Sequence, residues 1–367
     1  MIRSLCVSCI VGGLFLLPAF AARCPVTNGT TVVVRAPIGD LQVDTTGREP
    51  AVDVQVDNNN VQIQQNCGKD RVEFTSTGSD QVSGVMIWKI VTPRNVDLDL
   101  VTQGGNITIG DVNGNVTLRS GGSITAGQIK GKATLISQGG SIKSGNIGGD
   151  AELRSDGGTL EAGDIGGNAK FHTSAGRAVV GAVGGDLTVE AGSKITITKA
   201  GQVKITTNAA DISIGDAARI NVKSGGGHIT IRRVSGPFQG HTEKGDIRLD
   251  SAGAWVEAST GQGNILVHLV PENIDGDLHM DLEAGLGDVT VYLPAALRAK
   301  IDATVQRPAF QDHSIISEFP AAPKRPANGL IPNNLYYTPP HSEYALNGGG
   351  NLITLHTSLG KITIKKN

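Results

Sequence analysis

The chain has 367 residues, with 32 Lys and Arg against 34 Asp and Glu, for a net charge of −2. So even a balance leaves no electrostatic case for nucleic acid or an anionic membrane as partner. Fifty glycines and an aromatic content of 4% imply strands lined by small and β-branched residues, and a hydrophobic content of 39% spread among so much Gly implies an elongated core.

Residues 1–21 read as a secretory signal peptide. Arg3 is its single positive charge, and Leu5 to Leu17 is an apolar run too short to span a bilayer comfortably. Pro18 breaks that run, and Ala19-Phe20-Ala21 supplies the small-x-small pattern that places cleavage before Ala22. Cys24 follows Arg23 rather than a small residue, which counts against a lipid anchor. The expected location is outside the cytoplasm: periplasm, cell surface or extracellular space. Residues 22–95 read as an N-terminal β cap, with runs at Thr31 to Arg35, Val52 to Val56, Val61 to Gln64 and Val72 to Thr75. Cys24 and Cys67 are the two cysteines left once Cys6 and Cys9 depart with the signal. In an oxidising compartment they suggest one disulfide; free or intermolecular thiols are the alternative.

From Val96 the chain restates one phrase of about 18 residues. Copies start at Val116, Ala133, Ala151 and Ala169, and looser ones near Leu187, Val203, Ile220, Phe238, Trp255 and Leu278. Within each copy apolar and polar residues alternate over two short runs, the period of a β-strand. Val116 and Leu118, or Ala169 and Phe171, share one face. Ile124, Ile142 and Leu160 share a second, and Ile129, Ile147, Ile165 and Val183 mark a third apolar point. A single copy cannot bury its own apolar points, whereas stacked copies build a continuous core. The prediction is all-β: a parallel β-solenoid, or β-helix, of about eleven turns over residues 96–305, with β caps at both ends. At about 4.8 Å per turn this is a rod of roughly 50 Å. An antiparallel meander with Gly turns is the competing reading. Residues 306–350 are rich in Pro and Asn and lack a period, so they read as a surface excursion. Residues 351–367 return as two closing strands.

Gly104-Gly-Asn-Ile-Thr-Ile-Gly110, Ser120-Gly-Gly-Ser-Ile-Thr125, Gly287-Asp-Val-Thr-Val-Tyr-Leu-Pro294 and the ending Gly349 to Lys365 resemble the bacterial putative-adhesin family, a domain family of unknown function. The resemblance covers about residues 30 to 366. It implies an exported β-repeat protein and brings no catalytic residues with it. This copy departs from the family's pattern at Arg232-Arg233 and in the Pro-rich stretch.

No catalytic constellation stands out. Aligning the copies puts Arg119, Ile136, Arg154, His172, Glu190, Thr206, Lys223 and His241 in one outward column. Arg154, His172 and Glu190 are its candidate binding group, and a solvated face of alternating charge is the plainer alternative. The corners Asn115, Asp150, Asn168 and Asp186 form a second column, which turn chemistry explains without calcium. The histidines are scattered, and no H-x-x-x-H or H-E-x-x-H is present, so neither metal nor cofactor is expected. Trp88, Trp255, Tyr336, Tyr337 and Tyr344 are the aromatics a sugar ring could pack on, Tyr336 and Tyr337 within the Pro-rich stretch. The function expected is a non-enzymatic adhesion, binding or scaffold module whose partner is carbohydrate or another envelope protein. A polysaccharide lyase or hydrolase is the alternative, and two carboxylates with a basic residue in a groove on one flank would favour it.

Overall fold

The computed structural model describes residues 21–57, 61–77, 86–306, 315–320 and 341–367. Tyr336, Tyr337, most of the Pro-rich stretch and all of the predicted signal except Ala21 lie outside the described residues. The described chain is all β, with 32 strands and no helix, hence no helix long and apolar enough to cross a membrane. It is a β-solenoid, and its parallel stacking excludes the antiparallel meander.

Each coil contributes one strand to each of two ladders. The first ladder runs in chain order through Asp97–Thr102, Val116–Ser120, Ala133–Ser137, Ala151–Ser155, Ala169–Thr173 and Leu187–Ala191. It continues through residues 203–207 and 220–224 to Phe238–Lys244, Val256–Gln262 and Met280–Leu286. These are eleven strands, all parallel, matching the number of turns expected between Val96 and Leu297. The second ladder takes Ile107–Ile109, Ile124–Ala126, Ile142–Ser144, Leu160–Ala162 and Ala178–Ala182, and ends this run at Val289–Leu293. Single bridges at Val112, Ile129, Ile147, Ile165 and Val183 form the third edge. From Ile195 onward the third edge merges with its neighbours, giving the 13-residue strands Ile195–Thr207 and Ile212–Ser224.

The inward columns explain the alternation. Leu118, Leu135, Leu153 and Phe171 are fully buried, beside the buried column Val116, Ala133, Ala151 and Ala169. Small faces large along the strand, as a close-packed interior requires: Ala169 accompanies Phe171, and the ring of Phe238 lies over Gly240. A buried hydroxyl closes most corners between the ladders, with Ala191 and Ala284 in its place in two coils. Ser120 Oγ donates to the Gly105 carbonyl at 2.6 Å, Ser137 to Gly122 at 2.8 Å, Ser155 to Gly140 at 2.8 Å and Thr173 to Gly158 at 2.9 Å. Each gives a corner carbonyl a hydrogen-bond partner, the Gly105 carbonyl also accepting the Gly122 N–H at 3.0 Å.

Chain order breaks at both ends. The coil of Thr31–Ala36 and Asp40–Asp44 does not lie outermost. It is inserted between Arg71–Thr77 with Ile87–Val91 on one side and Asp97–Thr102 with Ile107–Ile109 on the other. Likewise Asn351–Leu359 and Ile362–Lys366, the last coil of the chain, sit between Met280–Leu286 with Val289–Leu293 and the outer strands Ala299–Val305 and Ile315–Ser317. Among the described residues, antiparallel strands occur only beyond these inserts. Gln62–Cys67 pairs with Arg71–Thr77, Ala51–Val56 with Ile87–Val91, Ala21–Pro25 with Ala51–Val56, and His341–Leu346 with Ala299–Val305. The Cys24–Cys67 disulfide is formed, with Cα atoms 5.4 Å apart, and it ties together the outermost N-terminal strands of the two ladders.

Candidate functional site

The outward face of the first ladder carries two columns of side chains, because alternate residues of a strand point away from the core. Strand registers reproduce the aligned column residue for residue, Arg119, Ile136, Arg154, His172, Glu190, Thr206, Lys223 and His241. They extend it through Ser259 and Glu283 to His356. His172 Nδ1 lies 2.8 Å from Glu190 Oε2. The Arg154 guanidinium turns to Asp156, 3.9 Å away, on its own coil. Arg154, His172 and Glu190 are therefore column neighbours, but only the last two bond to each other.

Two residues back along each strand runs the companion column: Glu152, Lys170, Thr188, Lys204, Asn221, Gln239, Glu257, Asp281 and Thr354. Between the columns, from Asn221 to Glu283, lies a shallow groove of about 260 Å³, lined by Lys223, His241, Glu257, Ser259, Asp281 and Glu283 among others. Gln239 donates to Glu257 at 2.9 Å, and His241 Nδ1 lies 2.7 Å from Ser259 Oγ. Partial burial holds the Asp281 carboxyl above its ordinary value, and the neighbouring Glu283 and Glu257 carboxylates push it further; His279 and His356 offset part of this. At the edge of the groove the His279 ring stacks on Trp255, centroids 5.2 Å apart, and its Nδ1 lies 2.6 Å from Asp277.

Sequence reasoning stopped the column at His241 and so missed these carboxylates. The residues between Leu269 and Leu278 lengthen that repeat and carry the 18-residue phase out of step. Counting strands from the Val-Glu-Ala and Met-Asp-Leu alternations at Val256 and Met280 would have recovered them. The other watched aromatics divide. Trp88 is fully buried and donates through Nε1 to Ile38 O at 3.3 Å. Tyr344 is buried with its hydroxyl on Ser317 Oγ at 2.8 Å.

The corner column is a backbone device. Asn115 Oδ1 accepts the Lys132 N–H at 3.0 Å, Asp150 that of Asn168 at 3.0 Å, and Asn168 that of Asp186 at 2.9 Å. Each of these oxygens faces a backbone donor one coil on, which is why Asn and Asp interchange there. Among the described residues no group of three or more His, Cys, Asp or Glu is placed to hold a metal ion.

No protein-family model matches the chain, and no curated protein matches it significantly. Among solved structures it is similar to a “putative cell adhesion protein” from Clostridium sporogenes, 11% identical over 95% of this chain and 99% of that one, with a TM-score of 0.17. A “putative adhesin” from Bacteroides fragilis is 12% identical over 95% and 96%, with a TM-score of 0.19. Likeness at that level bears on neither the mechanism nor the partner of this chain.

Proposed function

We propose that this chain is an exported, non-enzymatic adhesion module that binds through the outward face of its first ladder. One observation carries the reading: a face held by parallel strands presents two aligned columns of ionic, amide, hydroxyl and imidazole groups, the donors and acceptors that recognise polar polymers. The Gly-rich phrases that resemble the adhesin family point the same way. The disulfide suits an oxidising compartment, where such bonds persist. Arg154, His172 and Glu190 lie on this face, and Tyr336 and Tyr337 belong to the same proposal. The test exposes the chain from Ala22 to a panel of bacterial and plant polysaccharides and to envelope fractions, and reads binding and new sugar ends in the same wells. Saturable binding that Arg154→Glu and Glu190→Lys weaken, without new ends, is the expected result. A panel silent on both readouts, from a chain that also fails to associate with itself, overturns it.

A polysaccharide-active enzyme is the second reading, and the groove favours it. Glu257, Asp281 and Glu283 lie beside Lys223 and His241, and a carboxyl whose pKa is raised is suited to donate a proton. New sugar ends that disappear in Asp281→Asn would establish that reading over the first.

A further inference from the structure

From Glu152 onward, the lysines and most of the acids in the two columns of the first-ladder face are sorted to opposite sides of its middle, with Glu152 and Glu190 the acids left on the lysine side. Elsewhere neighbouring coils pair opposite signs, as in Lys143 with Glu161 at 3.2 Å and Lys132 with Asp150 at 3.0 Å. Here the cations Lys170, Lys204 and Lys223 lie on one side of the Gln239–His241 rung, and Glu257, Asp281 and Glu283 lie on the other. Lys170, Lys204, Lys223, Asp281 and Glu283 make no ion pair among the described residues. Like charges on adjacent strands cost stability, and among the described residues only His279 and His356 offset part of that cost on the acidic side.

The sorting has a centre. Counting outward from Gln239 along the companion column, Asn221 mirrors Glu257, Lys204 mirrors Asp281, Thr188 mirrors Thr354 and Lys170 mirrors Asp302. Counting from His241 in the other column, Thr206 mirrors Glu283 and Glu190 mirrors His356. A two-fold axis lying across the face at this rung, along the strand direction, sets each column against itself in reverse. Such an isologous contact brings residue i onto j and j onto i. Lys204 then meets Asp281 twice, and Lys170 meets Asp302 twice. The match ends at the fifth rung, where Glu152 would meet Glu343. Nine rungs about 4.8 Å apart and five residues wide make a patch of roughly 650 Å² per copy, about 1,300 Å² in all, inside the range of specific interfaces.

We propose that the partner of this face is a second copy of the same chain, docked antiparallel about the Gln239–His241 rung, so that adhesion is homophilic. The proposal rests on the reading that this face is the binding surface. Sedimentation velocity of the chain from Ala22 tests it, with Lys204→Glu, Asp281→Lys and the double variant, each checked for fold by circular dichroism. The expected result is a dimer in low salt that dissociates as salt rises, weakens about tenfold or more in each single reversal, and is restored in the double variant. A wild-type chain that stays monomeric in low salt at 100-fold the concentration of a typical assay overturns the proposal. So does a dimer that both single reversals leave unchanged. A monomer that still binds polysaccharide through Arg154 and Glu190 would sink homophily alone and leave the adhesion reading intact.

Discussion

The middle of the rod and its two ends are built from the same coil but assembled by different rules. Between Asp97 and Leu293 every coil stacks on the one made just before it. At each end one coil is out of order: the first in the chain, residues 31–44, and the last, residues 351–366, are each slotted inside an outer layer. The same corner hydroxyl serves both arrangements. Thr102 donates to Gly39 O at 2.7 Å across the N-terminal seam, and Thr357 to Gly287 O at 2.7 Å across the C-terminal one. Stacking chemistry is therefore indifferent to chain order. What the inserts add is closure: an outer layer can be complete only when the coil beneath it is in place, and a solenoid end left open would be a template for edge pairing.

Removing coils separates the two rules most widely. Excision of residues 133–150 joins Lys132 to Ala151 in phase, so Val116 would stack on Ala151 as it now stacks on Ala133. That variant should melt in one transition within about 5 °C of the parent. Truncation after Gly350 takes away Ile353, Leu355, Ile362 and Ile364, all fully buried. At about 1.5–3 kcal/mol each, the loss is on the order of 6–12 kcal/mol, and the outer strands lose their floor. Circular dichroism melts should show an early transition or aggregation. Equal tolerance of both deletions would end the distinction between middle and ends.

The disulfide comes next in size. Cys24 and Cys67 are 43 residues apart in sequence, and closing a loop of that length is worth about 4 kcal/mol in the chain-entropy model. Cys24→Ser with Cys67→Ser should lower the urea midpoint and speed proteolysis of residues 21–77 before the central coils. Uniform loss of protection along the rod would show that the disulfide does not act locally on the N-terminal layer.

One glycine pair tests the N-terminal seam. A Cβ on Gly105 would collide with the Gly39 carbonyl of the inserted coil, whereas one on Gly104 would meet nothing. Gly105→Ala should cost about 1–3 kcal/mol through overpacking, and Gly104→Ala close to nothing. In the central coils, Ser155→Ala should cost about 1–2 kcal/mol. It strips the Gly140 carbonyl and the Gly158 N–H, bonded at 2.8 and 2.9 Å, of their shared partner. Both measurements are chemical denaturation midpoints.

The legible part of this molecule was its period. Alternation at Val116, Leu118 and Ser120 names the inward residues outright, and an 18-residue repeat fixes which residue stacks on which. The column from Arg119 to His241 follows from that repeat alone. Two things were not legible. Out-of-order insertion leaves no mark in a repeat whose copies are interchangeable; Leu355 reads like any other coil's Leu. The carboxylates Asp281 and Glu283 came into register only across a lengthened repeat, which period counting cannot cross. Ser120, Ser137 and Ser155 were visible ahead of their glycines, yet a buried hydroxyl that bonds to another coil shows itself only once the stack exists.

The smallest effect has the sharpest sign. In the central coils the Asn168 N–H, then the Lys132 ammonium, hold the Asp150 carboxyl below its ordinary value. At the C-terminal seam, partial burial followed by Glu283 and Glu257 holds Asp281 above its ordinary value, with His356 of the inserted coil among the groups opposing the shift. A depressed carboxylate stabilises the fold above its unfolded pKa, and that contribution is lost as pH falls through the folded one. A raised carboxylate does the reverse: its ionised form costs stability above the folded pKa, and the cost is relieved as pH falls through it. At pH 7, in dilute protein where copies do not associate, Asp150→Asn should therefore lower the melting temperature slightly and Asp281→Asn should raise it slightly. The Asp281 difference should shrink toward zero once pH falls below the ordinary carboxylate value of 3.8, where that group is as neutral as its amide, whereas the Asp150 difference should persist until pH falls through that group's lower folded value. Melts in parallel at pH 7 and at about pH 3 decide it. If both variants move the same way, the seam is no more strained than the middle, and the sorted charges on the first-ladder face cost the isolated chain nothing.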